Sequence, residues 1–343
     1  MQDVTLIGID LGKHSFHVHG QDRQGRALLR KKFSRKQLVE FLATFHACTV
    51  VMEACAGAHH MARLLAHYGH HVKLISPQFV RPFVKSNKND FIDAEAICEA
   101  ACRPSMRFVT PKTESQQCLS ALHRVRETLV RERVKANNQI HGFLLEFGIS
   151  LPVGHAVIRR LPSVLAEQAL PARLVALLER LHSHFKYLDE QIADIEKELG
   201  RQLHDDDPGQ RLMSIPGVGP ITASVLAAEV GDGKQYRCGR DFAASIGLVP
   251  RQYSTGGKNN LLGISKRGDK NIRRLLVQCA RAYMQRLERQ TDRMAQWVRS
   301  MLMRRHSNVV ACALANKLAR TAWAIAAHHT EFKRQEAVMM TAS

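Results

Sequence analysis

The chain has 343 residues, enough for two or three modules at roughly 100–200 residues per domain, and carries 50 Lys and Arg against 31 Asp and Glu, a formal charge of +19 with its 18 histidines neutral. Such a surplus repels itself unless a polyanion is near, so nucleic acid is the first partner to consider, while 45% hydrophobic and 24% charged residues exclude a disordered basic tail. No run approaches the roughly 18 uninterrupted apolar residues of a membrane span, no basic leader precedes Val4, and the eight cysteines (48, 55, 98, 102, 118, 238, 279, 312) form no C-x-x-C pair; the expectation is a cytoplasmic protein, not in a membrane, with reduced, mostly buried thiols and neither zinc ribbon nor disulfide framework.

In chain order, β-rich runs at Val4–Ile9, Ser15–Gly20 and Ala27–Phe33 are separated by turn-length gaps that suit an antiparallel meander. A helical stretch at 35–45, a strand at 48–52, a helix at 59–68 and a strand at 71–75 follow. Three meandering strands and then strand–helix alternation is the order of the ribonuclease-H-like fold. From 114 to 203 the pattern turns helical. Leu174, Leu178, Leu181, Phe185, Leu188, Ile192, Ile195 and Leu199 are spaced 4-3-4-3-4-3-4, a heptad seam, and Leu119, Leu122, Val125 and Leu129 describe a partner helix. The seam fits a helical hairpin, an intermolecular coiled coil, or an amphipathic helix packed on its own domain. Asp205 to Gly209 punctuate the next boundary with turn residues, and helices follow near 269–288 and 309–327. The division expected is 1–112, an α/β catalytic domain; 113–205, a helical coiled-coil segment; 206–335, a mainly α domain; and 336–343, a disordered tail.

Acids stand where apolar strands end. Asp10 closes the first strand, Glu53 closes Val50-Val51-Met52, and Asp90 and Asp93 open a helical run, three residues apart on one face. Four converging carboxylates could hold two Mg²⁺ ions about 3.5–4 Å apart, polarising a phosphodiester and activating the attacking oxygen. Taken singly, Asp10 could shape a turn, and Asp90 with Asp93 could serve as an N-cap and a first-turn acid; their joint order favours a metal site.

Two glycine-containing motifs follow. Ile215-Pro216-Gly217-Val218-Gly219 before a helix at 221–230 presents backbone N–H groups to phosphate, as a helix-hairpin-helix-like turn does, or is a tight interhelical turn with no ligand. Arg251-Gln252-Tyr253-Ser254-Thr255-Gly256-Gly257-Lys258 presents two hydroxyls on a Gly-rich loop, with Arg251, Lys258, Lys266 and Arg267 close in sequence to stabilise phosphoryl charge. By itself that loop reads sooner as a phosphate grip without covalent chemistry than as a nucleophile loop. Arg273-Arg274, Arg304-Arg305 and Lys317 suit phosphate backbones or a solvated basic surface.

Gly8-Ile9-Asp10, Met52-Glu53-Ala54 and Asn89 to Ala94, followed by Ser214 to Gly219, Phe242 to Arg251 and Ser254 to Lys258, together resemble the DEDD-type transposases of the insertion-sequence family numbered one hundred and ten, which includes Piv-like DNA invertases. The resemblance covers nearly the whole chain; each motif is weak, and their order and spacing are specific. It implies a RuvC-like N-terminal domain and a C-terminal transposase domain. It further implies that a serine of the Gly-rich loop becomes covalently joined to DNA, activated by the metal-bound carboxylates in a composite centre. An element-encoded guide RNA and homo-oligomers, dimer or tetramer, assembled through the helical segment are implied as partners beside DNA. Many relatives have Ser directly before the first Gly, whereas this chain has Thr255 there and Ser254 one residue earlier. Ser254 is favoured as nucleophile because a primary alcohol is less hindered. The rival readings are a RuvC-like junction nuclease that uses water and a nonenzymatic nucleic-acid scaffold.

Overall fold

The computed structural model describes residues 3–85 and 89–334, and the chain divides into two compact units, Met1–Gln117 and Cys118–Ser343. The tail expected at 336–343 lies outside the described residues. In the first unit β1 (Leu6–Leu11), β2 (Ser15–Gln21) and β3 (Ala27–Ser34) form the antiparallel meander, and α1 (Arg35–Thr44), β4 (Thr49–Glu53), α2 (Ala58–His67) and β5 (His71–Ile75) follow. After α3 (Pro77–Val80) come α4 (Asp90–Ala101) and β6 (Phe108–Val109), a two-residue edge strand with no counterpart in the sequence reading. The sheet order is β3-β2-β1-β4-β5-β6, with β1, β4 and β5 mutually parallel and the other pairings antiparallel.

Alternation along the strands separates two faces. Ile7, Ile9, Val50 and Met52 pack with Leu38 and Leu42 of α1 and Met61 and Leu65 of α2. Val51 and Ile75 face the other way, against Ala96, Ile97 and Ala100 of α4. Each such fully buried aliphatic side chain contributes about 1.5–3 kcal/mol relative to exposure. The entry to α1 is fixed locally by a capping box, in which Ser34 accepts from the Gln37 backbone and the Gln37 side chain accepts from the Ser34 N–H.

The helical region comprises α5 (Glu114–Glu146), the short α6 (Leu161–Glu167) and α7 (Ala172–His204). Of the heptad seam, Leu178, Phe185, Leu188, Ile192 and Leu199 are buried and Leu174, Leu181 and Ile195 half-buried. Leu178 and Phe185 pack on Ala136, Ile140 and Leu144 of α5, and the ion pairs Arg126–Glu196 and Arg133–Asp189 join the two helices in antiparallel register. Of the readings the spacing left open, this part of the seam is a hairpin within the chain. Val125, expected on the inner face of α5, is instead exposed, because His123, two residues earlier, takes the buried position and a step of two turns the side chain to the far side of a helix.

Asp205 to Gly209 do not form an open turn. Asp206 is the N-cap of α8 (Asp207–Met213), its carboxylate accepting from Gly209 N at 2.9 Å, with Pro208 in the first turn. The boundary expected at 205 accordingly falls inside the second compact unit. Then come α9 (Pro220–Val230), α10 (Gly239–Ser245), the hairpin β7 (Pro250–Gln252) and β8 (Leu261–Ile264), α11 (Lys270–Gln285), α12 (Arg293–Leu302) and α13 (Ser307–His328). The sequence reading contained neither α10 nor α12. Among the described residues α13 is the one helix long and apolar enough to cross a membrane, a length the strict apolar-run criterion missed; here Leu314, Ala315, Leu318, Ala319 and Ala322 sit in the core of the second unit. All eight cysteines are free thiols. Only Cys98 and Cys279 are buried, so the expectation of mostly buried thiols is corrected: Cys102 and Cys118 are exposed and the other four half-buried.

Candidate active site

Three backbone features aim the acids of the first unit at one point. In β1, Ile7 and Ile9 face α1 and α2, so Gly8 and Asp10 face α4. A Cβ on Gly8 would stand 2.5 Å from the Ala94 carbonyl oxygen and 2.7 Å from Cys98 Sγ, so the missing side chain is what lets α4 lie against β1. Asp90, one turn before Ala94 on the same helix face, thereby approaches Asp10. In β4, Glu53 shares its face with Val51, which packs on α4. Asp10 and Glu53 thus leave the carboxyl ends of adjacent parallel strands, the place where open α/β sheets bind ligands.

One carboxylate oxygen from each of Asp10, Asp90 and Asp93 lies within 4.8 Å of the others. Glu53 adjoins them: burial holds its carboxyl above the ordinary range, and the charges of Asp10 and Asp93 push it the same way. The bland reading of Asp90 as an N-cap does not hold, since Asn89 caps α4, accepting from Phe91 N at 3.0 Å. The sequence reading missed His17. Its Nδ1 lies 3.5 Å from Asp90 Oδ2 yet is buried without an aligned hydrogen bond among the described residues, and Phe91 packs on the ring edge-to-face at 4.7 Å between centroids. Its signal was the register, in which a short β1–β2 hairpin sets His17 opposite Asp10. Cys55, also missed, stands just beyond Glu53, its thiol pushed up by burial and by Glu53 and Asp10.

The donor set fits a hard divalent cation. It is all carboxylate oxygen, and ligands on one octahedral ion at 2.0–2.1 Å lie about 3–4 Å apart, within reach of small rotations from the observed spacing. A cation would also offset the like charges that raise the Glu53 pKa.

The second unit holds the remaining candidates. Ser254 to Lys258 form the tip of the β7–β8 hairpin, closed by a Thr255–Lys258 bridge and by Tyr253 N donating to Asn260 O at 3.0 Å; Gly256 and Gly257 take positive φ there. The loop read from sequence is therefore an ordered turn. Gln252 Nε2 donates to Ser254 Oγ at 2.7 Å, and that hydroxyl lies 3.3 Å from Asn259 Oδ1. Neither amide is a base that could take the Ser254 proton. Arg251, Lys258, Lys266 and Arg267 are exposed. Arg273 is not available in the same way, because its guanidinium donates to the carbonyls of Ile246 at 2.8 Å and Arg267 at 2.9 Å. Arg274 reaches Asn271 at 2.6 Å and Glu127 at 4.0 Å.

The two glycines of the Pro-Gly-x-Gly turn differ. Gly217 has φ +83°, and a Cβ there would stand 2.7 Å from the Cys279 carbonyl oxygen, so it is required for packing on α11. Gly219, the N-cap of α9, has nothing among the described residues within 4 Å of such an atom, although Pro220 at the first helical position has no N–H and Thr222 is buried.

Comparison with known proteins adds the following. A family model described as the transposase IS116/IS110/IS902 family matches residues 209–297, and a second, described as a transposase, matches residues 7–149. The transposase for insertion sequence element IS1328 of Yersinia enterocolitica is 68% identical over 334 residues, 97% of this chain and 100% of that protein. The transposase for insertion sequence element IS1111A of Coxiella burnetii is 42% identical over 328 residues, 95% of this chain and 90% of its own length. A pilin gene-inverting protein of Moraxella lacunata is 22% identical over 293 residues, 79% of this chain and 80% of its own.

Proposed function

Since this chain belongs to the IS116/IS110/IS902 family of transposases, an enzyme family that recombines DNA, we propose that it cuts and rejoins insertion-sequence DNA through a covalent hydroxyl–phosphate intermediate, in a reaction that depends on Mg²⁺. The observation that carries the reading is the convergence of Asp10, Asp90 and Asp93 within 4.8 Å beside Glu53. The β3-β2-β1-β4-β5 order supports a ribonuclease-H-like, RuvC-like fold for the first unit, and the α8–turn–α9 arrangement supports helix-hairpin-helix-like contact with the DNA backbone.

In this reading Asp10, Glu53, Asp90 and Asp93 hold two Mg²⁺ ions, whose chemistry when bound is to polarise the phosphodiester and neutralise charge on the departing oxygen. Ser254 supplies the nucleophile. Its Oγ bonds to phosphorus as the phosphorus–deoxyribose oxygen bond breaks, the seryl proton leaves to a base, and the released deoxyribose oxygen ends as a hydroxyl. Gln252 and Asn259 orient the Ser254 hydroxyl without being able to deprotonate it, which is why the base is sought at the carboxylate centre and the active site is read as composite. Arg251, Lys258, Lys266 and Arg267 offset phosphate charge, and Gly256 and Gly257 allow backbone approach. Gly219 admits phosphate to the α9 N-terminus, with Gly217 shaping the turn. Arg274 contacts the backbone nearby, and Arg273 acts beneath the hairpin as a strut. The partners are the element ends, the target DNA, an element-encoded guide RNA and further copies of the chain, and the setting is the cytoplasm.

The test is to incubate protein, Mg²⁺, element-end DNA and co-purified RNA, then denature and look for a protein–DNA adduct. The adduct is expected, and is abolished by Asp10→Asn and by Ser254→Ala. Loss in Thr255→Ala but not in Ser254→Ala reassigns the nucleophile. Metal-dependent cleavage that persists without adduct in the double variant favours the water-using nuclease.

A further inference from the structure

We propose that a groove in the second unit, walled by the β7–β8 hairpin and floored by α13, binds an unstacked single strand of nucleic acid. The proposal rests on the recombinase reading and specifies the form in which the substrate strand is held. The groove has a volume of about 1570 Å³, beyond the roughly 300–1,000 Å³ of a small-molecule pocket, so a polymer segment fills it better than a metabolite. Its floor is a face of α13 that includes Val309, Cys312, Ala313 and Asn316. The opposite face of the same helix packs in the core. The groove face thus keeps apolar surface at Val309, Cys312 and Ala313 that folding does not fully cover, beside the polar Asn308, Asn316, Lys317 and Arg320.

The charge around this floor is mostly positive. Among the described residues Arg240, Arg251, Lys266, Lys317, Arg320 and Lys333 line the groove, against one acid, Glu331. Trp297 and Trp323 line it as well, and they are both of the chain's two tryptophans. Each is half-buried. Lys317 Nζ lies 5.0 Å from the centre of the Trp297 ring, and the Trp323 indole is anchored by donating to Gly233 O at 3.0 Å. Fixed aromatic surfaces and an apolar floor inside a ring of cations call for a ligand with planar apolar faces and regularly spaced negative charge. A duplex offers the charge but keeps its base faces stacked inside. An acidic peptide offers the charge without the planar faces. A single strand supplies both, its bases stacking on aromatic side chains while its phosphates meet the cations. The wall formed by Leu262, Gly263 and Ile264 belongs to the hairpin whose tip carries Ser254 and Thr255, so a strand in the groove runs toward those hydroxyls.

Because both tryptophans line the groove, intrinsic fluorescence of the full-length protein reads its occupancy directly. A short oligothymidylate is expected to quench the emission, and a duplex of equal length is not. Trp297→Ala weakens oligothymidylate binding by about 5- to 150-fold, the range for losing one stacked base, whereas Trp297→Phe largely retains it. Lys317→Ala, at an exposed position, lowers the slope of log affinity against log salt by about 0.7. The proposal is overturned if the oligonucleotide binds without altering the emission, or if duplex quenches equally. It is also overturned if the emission follows protein concentration alone, which marks a second copy as occupant, or if quenching arises only after removal of residues 335–343. An adduct on element-end DNA with unchanged emission removes the groove and leaves the recombinase reading intact; strand binding in the groove without any adduct does the reverse.

Discussion

Glu53 is held above the ordinary carboxylate range by burial first and by the charges of Asp10 and Asp93 second, so in metal-free protein the ionised cluster opposes folding. Glu53→Gln is expected to raise the Tm of metal-free protein by a few degrees, about 1 kcal/mol or less because the group is half in solvent. The same change should remove most of the Tm gain that Mg²⁺ gives the parent, since a bound ligand stabilises only through its site. Thermal scans with and without Mg²⁺ check this, and an unchanged Mg²⁺ gain in the variant would mean that Glu53 is no ligand. A second residue sets a pH dependence. His123 is buried against Ser224 Oγ at 2.9 Å, and burial, then Arg126, lowers its pKa to about 4. Between pH 6.5 and about 4 the unfolded chain binds this proton and the folded chain does not, so stability is fully present above pH 6.5 and lost as the pH falls. The loss is about 1.4 kcal/mol at pH 5.5; denaturant titrations across that window should show it, and His123→Gln should flatten it.

Element packing decides whether the four acids can make a site. Gly8 is the contact through which α4 meets β1, so Gly8→Ala should push the helix outward, cost about 1–3 kcal/mol and weaken divalent-cation binding although every carboxylate remains. Calorimetric titration with Mg²⁺ measures this, and unaltered affinity would detach the site from the helix approach. At the other turn, Gly217→Ala should destabilise the second unit while Gly219→Ala leaves its Tm unchanged. The strands were legible because alternation and strand-exit acids are local patterns, and the seam on α7 because its 4-3 spacing is local too. What covers that seam was not, since Ala136 and Ile140 lie some forty residues before it. Asn89 as the cap of α4 was legible in type and overlooked beside two aspartates. His17 became visible only through strand register. The order of the 254–258 turn depends on a cross-strand bridge, and the role of Arg273 on carbonyls of Ile246 and Arg267; neither leaves a mark in a sequence read residue by residue.

On the scale of the whole molecule, the proposed reaction gives the +19 charge and the acidic cluster separable tasks. Phosphate contacts release counterions, so affinity depends on salt in proportion to the number of cations engaged, whatever the base sequence. In the proposed reaction the chemistry depends instead on four acids of 31, too few to change that count. Asp10→Asn therefore should leave the salt dependence of duplex binding unaltered while removing adduct formation. For six to ten phosphate contacts the affinity of either form falls about 10³- to 10⁵-fold between 50 and 200 mM salt. Filter binding across that range measures the slope in both proteins. A slope near zero would mean that the basic surplus is solvated surface and that base-edge or RNA contacts carry the affinity. A slope that changes with Asp10→Asn by more than about one contact would mean that the cluster, through its bound cations, takes part in holding the backbone as well as in cutting it.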